Sequence, residues 1–227
     1  MSPAISSAAP RPRAFLVDLD GTLVDTVGDF VAVLALTLAD LGLPPVSREW
    51  VLQAVGRGSE QLIRSALAQV GGDAALYDAA WARYQAHYLQ LNGQASDLFP
   101  GTVEGLDLLK AQDLPMACLT NKPARFARDL LAAKGLAGYF ERVFGGDDFP
   151  RKKPDPLPLR MACEALGVAP SDAWMIGDSS NDAQAAHAAG CPVVLLRHGY
   201  NHGEPIDAVP ALAHLDRLDQ IGPLLAR

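Results

Sequence analysis

Short apolar runs alternate with helix-like segments through most of this chain, and that alternation limits the folds open to it. Five runs have the length and composition of buried strands, and helical periodicity separates the later ones. Strands that alternate with helices build a parallel sheet covered by helices on both faces. We therefore predict an α/β fold with strands at roughly residues 14–19, 115–120, 142–144, 173–176 and 193–196.

The alternation is interrupted once, directly after the first predicted strand. Residues 27–96 contain four helical segments and no evident strand. In the last of these segments, Tyr84 and Tyr88 lie on one helix face, so we expect them in a local apolar core. We predict that residues 14–26 and 97–227 form the sheet-containing core, and that the segment between them is an inserted all-helical domain.

Composition limits the partners and the location of the protein. The chain has 227 residues, of which 49% are hydrophobic, and a net charge of −7 without a long basic run. This argues against nucleic acid or an anionic membrane surface as a partner, and it does not indicate an oligomeric state. Residues 1–13 lack the apolar stretch of a signal peptide and are expected to be a disordered tail. Three cysteines without a CxxC pair indicate reduced thiols in a cytoplasmic protein: Cys118, Cys163 and Cys191.

Two carboxylates end the first predicted strand. Asp18 and Asp20 are separated by Leu19 and followed by Gly21, and strand alternation points both carboxylates to the same side. Carboxylates so close repel each other, which raises one pKa unless a cation lies between them. The pair therefore indicates a metal site, a proton-transfer site or both. The alternative is a strand end capped by an ordinary Asp-Gly turn.

Polar residues also follow two later strands, and a lysine opens a later helix. Thr120 and Asn121 follow the second predicted strand, and Asp178 follows the fourth, four residues before Asp182. Lys153 opens a predicted helix between them. Ligands of parallel sheets bind at the carboxyl ends of the strands, so we expect these side chains to meet at one edge.

Together these segments resemble the signature of the haloacid dehalogenase superfamily of phosphohydrolases. The likeness is greatest to bacterial phosphoglycolate phosphatases, and four matches in the expected order are more specific than any one of them. The resemblance implies a Rossmann-like core with the helical insertion as a cap above the catalytic face. The four matching segments are Asp18-Leu19-Asp20-Gly21-Thr22-Leu23-Val24-Asp25-Thr26, Thr120-Asn121-Lys122-Pro123, Lys153-Pro154, and Gly177-Asp178 with Asp182. The likeness to phosphoglycolate phosphatases includes a further segment, Gly199-Tyr200-Asn201-His202-Gly203-Glu204.

The resemblance implies a role for each acidic residue. Asp18 would be the nucleophile that forms an aspartyl-phosphate, and Asp20 would protonate the leaving group and then activate water. Mg²⁺ would be held by Asp18, Asp178 and the main-chain carbonyl of Asp20. Asp182 would hold Lys153 or a metal-bound water rather than bind the metal directly.

The resemblance also assigns the groups that bind phosphate. Lys153 would balance the charge of Asp18 and of the transferring phosphoryl group, with Lys152 as the competing lysine. The hydroxyl of Thr120 and the backbone amide of Asn121 would donate hydrogen bonds to phosphate oxygens at a helix start. For Thr120 alone, an ordinary N-cap would be the simpler interpretation.

Arg57 and Gly58 in the insertion are candidates for substrate recognition. A Gly-Arg-Gly turn between two helices could present backbone amides and a guanidinium to a substrate carboxylate. The same turn could equally be a plain connection with a solvated arginine.

The implied reaction is hydrolysis of 2-phosphoglycolate to glycolate and phosphate. A related phosphatase could instead act on N-acetylmuramate 6-phosphate, a sugar phosphate or pyrophosphate. A phosphosugar mutase would use the same scaffold and return the phosphoryl group to sugar. A dehalogenase typically lacks a second acid like Asp20, and a binding module without activity would not need every motif residue.

Overall fold

A computed structural model describes residues 11–226, and a six-stranded parallel sheet forms the centre of this part of the chain. Two further short strands pair with each other outside that sheet. The strands are β1 (Ala14–Val17), β2 (Val24–Asp25), β3 (Asp97–Leu98), β4 (Met116–Leu119), β5 (Arg142–Phe144), β6 (Ala173–Gly177), β7 (Val193–Leu196) and β8 (Ala213–Leu215).

Helices connect most successive strands of the sheet, and four of them come between β2 and β3. Five more follow β3 within the described residues. The helices are α1 (Val27–Ala39), α2 (Arg48–Ala54), α3 (Ser59–Gln69), α4 (Tyr77–Leu91), α5 (Thr102–Lys110), α6 (Ala124–Ala133), α7 (Leu157–Ala165), α8 (Ser180–Ala189) and α9 (Gly222–Leu225).

The strand order places β1 at the centre of the sheet. The order is β5-β4-β1-β6-β7-β8, and every neighbouring pair is parallel. The chain runs outward from β1 on one side and then crosses it to continue on the other. A crevice forms beside such a reversal at the carboxyl ends of the strands. The predicted α/β fold is confirmed, and β8 is the strand of the sheet that the pattern of the sequence missed.

The central strand is apolar because helices cover both of its faces. Phe15 and Val17 pack into the cluster that contains Leu106 of α5 and Leu130 of α6. Ala14 and Leu16 pack on the opposite face, and all four residues of β1 are fully buried. A strand buried on both sides has no reason to alternate apolar and polar residues.

Helices α1 to α4, here called the helical block, have an apolar core of their own. It contains the expected Tyr84 and Tyr88, which are 0% and 1% exposed. The same cluster includes Phe126 of α6 and Tyr200, so the block also packs against the sheet-containing part. The antiparallel pair of β2 and β3 lies where the chain enters and leaves the block. The division of the chain at residues 27 and 96 stays a prediction.

The predicted disordered tail falls mostly on residues 1–10, which lie outside the described residues. At its end, the backbone amide of Arg13 donates a hydrogen bond of 2.7 Å to the carbonyl of Asp172. Between residues 11 and 226, no helix combines the length and the hydropathy that a membrane crossing would require.

Replacing Leu16 by alanine should test the importance of the central strand. Leu16 is fully buried, so the change should lower the free energy of unfolding by about 2–5 kcal/mol through lost burial and a cavity. Leu36→Ala is the control, because Leu36 is 44% exposed and its loss should change stability by less than about 0.5 kcal/mol. Equal losses in chemical denaturation would contradict this account of the core.

Candidate active site

The predicted site residues meet at the carboxyl ends of the central strands. Asp18 directly follows β1, Thr120 follows β4 and Asp178 follows β6. Lys153 reaches the same place from the loop before α7. The side chain of Asp18 is 13% exposed, and the three other residues are buried. The topology therefore brings together residues that are far apart in the sequence.

Three carboxylates crowd this edge of the sheet. One oxygen from each of Asp18, Asp178 and Asp182 lies within 4.8 Å of the other two. Burial raises the pKa of Asp18 to about 7, although nearby Lys153 opposes the shift. Burial, together with Asp182 and Asp18, raises the pKa of Asp178 well above its usual value. Such crowding of like charge is relieved when a cation binds.

The donor set of this cluster fits a divalent cation. Asp18 Oδ1 is buried and accepts no hydrogen bond, although it lies 3.1 Å from Lys153 Nζ. Asp178 is held in place by Thr22 Oγ1, which donates to Oδ1 at 2.6 Å, and by the amide of Tyr200, which donates to Oδ2 at 2.7 Å. Carboxylate oxygens are the ligands that hard divalent cations prefer. Asp18 and Asp178 could therefore hold one between them.

Protein groups donate hydrogen bonds to both carboxylate oxygens of Asp182. Its Oδ1 accepts from Lys153 Nζ at 2.7 Å. Its Oδ2 accepts from the amides of Asp178 and Ser179, both at 3.2 Å, and from Ser179 Oγ at 2.9 Å, as part of a capping box that starts α8. A Cβ on Gly177 would lie 2.4 Å from Asp182 Cγ, so this packing needs glycine there. Asp182 is built to hold Lys153.

Lys153 is the buried cation of the cluster. Its Nζ donates to Asp182 and, at 2.8 Å, to the carbonyl of Leu119, and it lies beside Asp18. Burial opposes the charged ammonium, but Asp18 and Asp182 outweigh burial and raise the pKa of Lys153. The neighbouring Lys152 forms an ion pair with Glu60 of the helical block instead. The structure therefore places Lys153, and not Lys152, against Asp18.

The two residues after β4 have different surroundings. Thr120 lines the cavity above the acidic cluster, and its Oγ1 accepts from the amide of Lys122 at 3.2 Å. The side chain of Asn121 accepts from the amide of Lys153 at 2.9 Å and donates to the carbonyl of Lys153 at 2.8 Å. It also donates to the carbonyl of Gly56 at 2.9 Å. Asn121 thus fixes the lysine loop and contacts the helical block.

Sequence reasoning missed Lys122, which is as buried as Lys153. Its Nζ donates to Asp20 Oδ1 at 2.9 Å and to the hydroxyl of Tyr88, and its side chain is 2% exposed. The ammonium also lies 4.8 Å from the ring centre of Phe30. A lysine after a strand is ordinarily solvated, so the sequence carries no direct sign of this position. The usable signals were its place in the matching segment Thr120-Asn121-Lys122-Pro123 and the need of Asp20 for a cationic partner.

A small cavity opens between the sheet and the helical block. Asp18, Asp20 and Gly58 are among the residues that line it. Arg57 does not line it: its side chain is exposed and lies along a separate groove with Trp50. The remaining lining residues are Phe30, Val55, Gly56, Ser59, Leu62, Thr120, Asn121 and Lys122.

Comparison with known proteins agrees with this geometry. A family profile described as haloacid dehalogenase-like hydrolase matches residues 15–196. A phosphoglycolate phosphatase of Thiobacillus denitrificans is 45% identical over 221 residues, covering 96% of this chain and 94% of that protein. One of Nitrosococcus oceani is 41% identical over 220 residues, covering 96% and 98%.

Solved structures give the same result for the fold. A crystal structure described as a predicted phosphoglycolate phosphatase from Haemophilus somnus superposes with a TM-score of 0.87 at 32% sequence identity. The match covers 92% of this chain and 96% of that one. The profile match and the relatives both span most of the chain, including the segments that carry the acidic cluster and the buried lysines. The chain belongs to the haloacid dehalogenase-like hydrolase family.

Proposed function

We propose that this protein is a Mg²⁺-dependent phosphomonoester hydrolase that acts on 2-phosphoglycolate through an aspartyl-phosphate. The observation that carries the proposal is the pairing of two carboxylates that line one small cavity with two buried lysines, Asp18 with Lys153 and Asp20 with Lys122. The names of the curated relatives support the choice of substrate.

In the first step, Asp18 attacks the phosphorus of the bound ester. A bond forms between a carboxylate oxygen of Asp18 and phosphorus, and the bond from phosphorus to the ester oxygen breaks. Asp20 donates its proton to that ester oxygen, so that the product leaves as an alcohol. Lys153 beside Asp18 offsets negative charge on the transferring group, and the hydroxyl of Thr120 binds a phosphate oxygen.

In the second step, water cleaves the aspartyl-phosphate. Asp20, now ionised, accepts a proton from the water as its oxygen attacks phosphorus. The bond between Asp18 and phosphorus breaks, inorganic phosphate leaves and both carboxylates return to their first state. Asp182 takes no part in bond making, because it holds Lys153 in position throughout.

Asp18, Asp178 and the main-chain carbonyl of Asp20 would hold the metal. When bound, Mg²⁺ neutralises charge on the phosphoryl oxygens and on the crowded carboxylates. The orphaned Asp18 Oδ1 and the oriented carboxylate of Asp178 support this assignment. Members of this phosphatase family generally use Mg²⁺.

We also propose that the helical block, with residues 27–96, acts as a cap that excludes water from the aspartyl-phosphate. The carbonyl of Gly56 accepts hydrogen bonds from the side chains of Asn121 and Asn181, at 2.9 and 3.1 Å, which holds the block against the sheet. The molecule that the protein binds would be a small phosphomonoester substrate. A cytoplasmic location stays a prediction, and it suits three cysteines that are buried free thiols.

A phosphate-release assay over a small panel should identify the substrate. We expect kcat/KM for 2-phosphoglycolate to exceed that for N-acetylmuramate 6-phosphate, a sugar phosphate and pyrophosphate by about tenfold or more, since the cavity is small. A higher value for any of the others would reassign the substrate. Interconversion of sugar phosphates without release of phosphate would instead identify a mutase.

Asp18→Asn should abolish turnover and leave the fold intact. The amide keeps the shape of the side chain but is a poor nucleophile, so kcat should fall by at least about 1,000-fold. Asp97→Asn, at an exposed aspartate of β3, is the control and should keep wild-type activity. Unfolding midpoints establish that both variants are folded. Activity of Asp18→Asn within tenfold of wild type would exclude the mechanism.

Asp178→Ala should weaken the binding of Mg²⁺ more than the binding of the substrate. Removing one of two carboxylates that face the cation site should raise the Mg²⁺ concentration for half-maximal activity by about tenfold or more, with a smaller change in KM. Metal binding can also be followed directly by calorimetry, with Asp97→Ala as the control. Undiminished hydrolysis by the wild type in excess chelator would refute the metal requirement.

A further inference from the structure

We propose that Lys122 is the receptor for a carboxylate on the substrate and so selects phosphate esters of short hydroxy acids. The inference rests on the proposed function, because it assigns the recognition of the same substrate. It assigns the recognition of the carboxylate to Lys122, which lines the cavity, and not to Arg57, whose side chain lies outside it. Among residues 11–226, Lys122 is the one cationic side chain in the wall of that cavity.

The position of Lys122 matches the shape of such a substrate. Asp20 faces the ester oxygen during proton transfer, and Lys122 Nζ lies 2.9 Å from Asp20 Oδ1. In 2-phosphoglycolate the carboxyl carbon is two bonds from the ester oxygen. A substrate whose ester oxygen meets Asp20 therefore brings its carboxylate to the neighbourhood of the ammonium.

The ammonium of Lys122 can donate one more hydrogen bond. It carries three N–H groups, and Asp20 and Tyr88 are its acceptors among the described residues. The remaining contacts are the ring faces of Phe30 and Tyr88, at 4.8 and 4.7 Å. Aromatic faces stabilise a cation without using its N–H groups. One donor is therefore free for a ligand in the cavity.

Burial makes this ammonium selective for a charged group. Desolvation of a charge is costly unless it is paired and hydrogen-bonded, and hydrogen bonds between charged groups are stronger than those between neutral ones. A substrate with a hydroxyl in place of the carboxylate would bring no charge to Lys122. The apolar wall formed by Phe30, Val55 and Leu62 leaves little room for a longer chain.

The test compares two substrates that differ only in this group. Phosphate release is measured for 2-phosphoglycolate and for 2-hydroxyethyl phosphate, with wild type and with Lys122→Met. We expect the ratio of the two kcat/KM values to fall by about tenfold or more in the variant. Any effect that Lys122 has on Asp20 lowers turnover of both substrates and cancels in this ratio. A smaller fall in the ratio would overturn the proposal.

Lys152→Met is the matched control, because Lys152 also pairs with a carboxylate, that of Glu60, but does not line the cavity. Its substrate ratio should equal that of wild type, and an equal fall there would overturn the proposal. Circular dichroism checks folding, and Lys122→Gln replaces Lys122→Met if the latter does not fold. A wild-type enzyme that hydrolyses neither compound would overturn the proposed function itself. One that hydrolyses both equally well would overturn only the carboxylate selectivity, with the phosphatase mechanism left standing.

Discussion

The ion pair between Lys153 and Asp182 is the interaction on which the rest of the site depends. Both side chains are buried, and the pair ties the loop before α7 to the start of α8 across the carboxyl ends of the strands. Buried charges are tolerated when they are paired and hydrogen-bonded, and here Leu119, Ser179 and two backbone amides complete the network. Removing Lys153 would leave the buried carboxylate of Asp182 uncompensated next to Asp18.

A second buried lysine, Lys122, pairs with the second aspartate of the site. Lys153 lies beside Asp18, and Lys122 forms an ion pair with Asp20. The contacts of Lys122 with Tyr88 and Phe30 mean that the environment of Asp20 is complete only when the block lies on the sheet. The ammonium of Lys122 therefore connects Asp20 with the helical block.

Much of the fold could be predicted because the apolar residues of the sequence recur with the periods of strands and helices. All five predicted strands are present, with ends that differ by at most two residues. β8 was missed because its three residues, Ala213 to Leu215, include a histidine and do not form an apolar run. The helical block was recognised from its position between the first strand and Asp97.

The candidate site was predictable only where residues follow strands in a known order. Asp18, Thr120 and Asp178 could be placed at one edge of the sheet because parallel strands share a direction. The surroundings of Lys122 and Arg57 depend on how the block packs on the sheet, which no local pattern encodes. A lysine and an arginine in such loops look equally solvated in the sequence, yet one is buried and the other exposed.

The stereochemical course at phosphorus tests the central claim most directly. A phosphate ester made chiral with three oxygen isotopes is incubated with the enzyme and an acceptor alcohol, and the configuration of the phosphoryl group transferred to that alcohol is determined. Attack by Asp18 followed by attack by an oxygen nucleophile gives two in-line displacements, so the account predicts net retention. Net inversion would show a single direct displacement and would contradict the role of Asp18 as nucleophile.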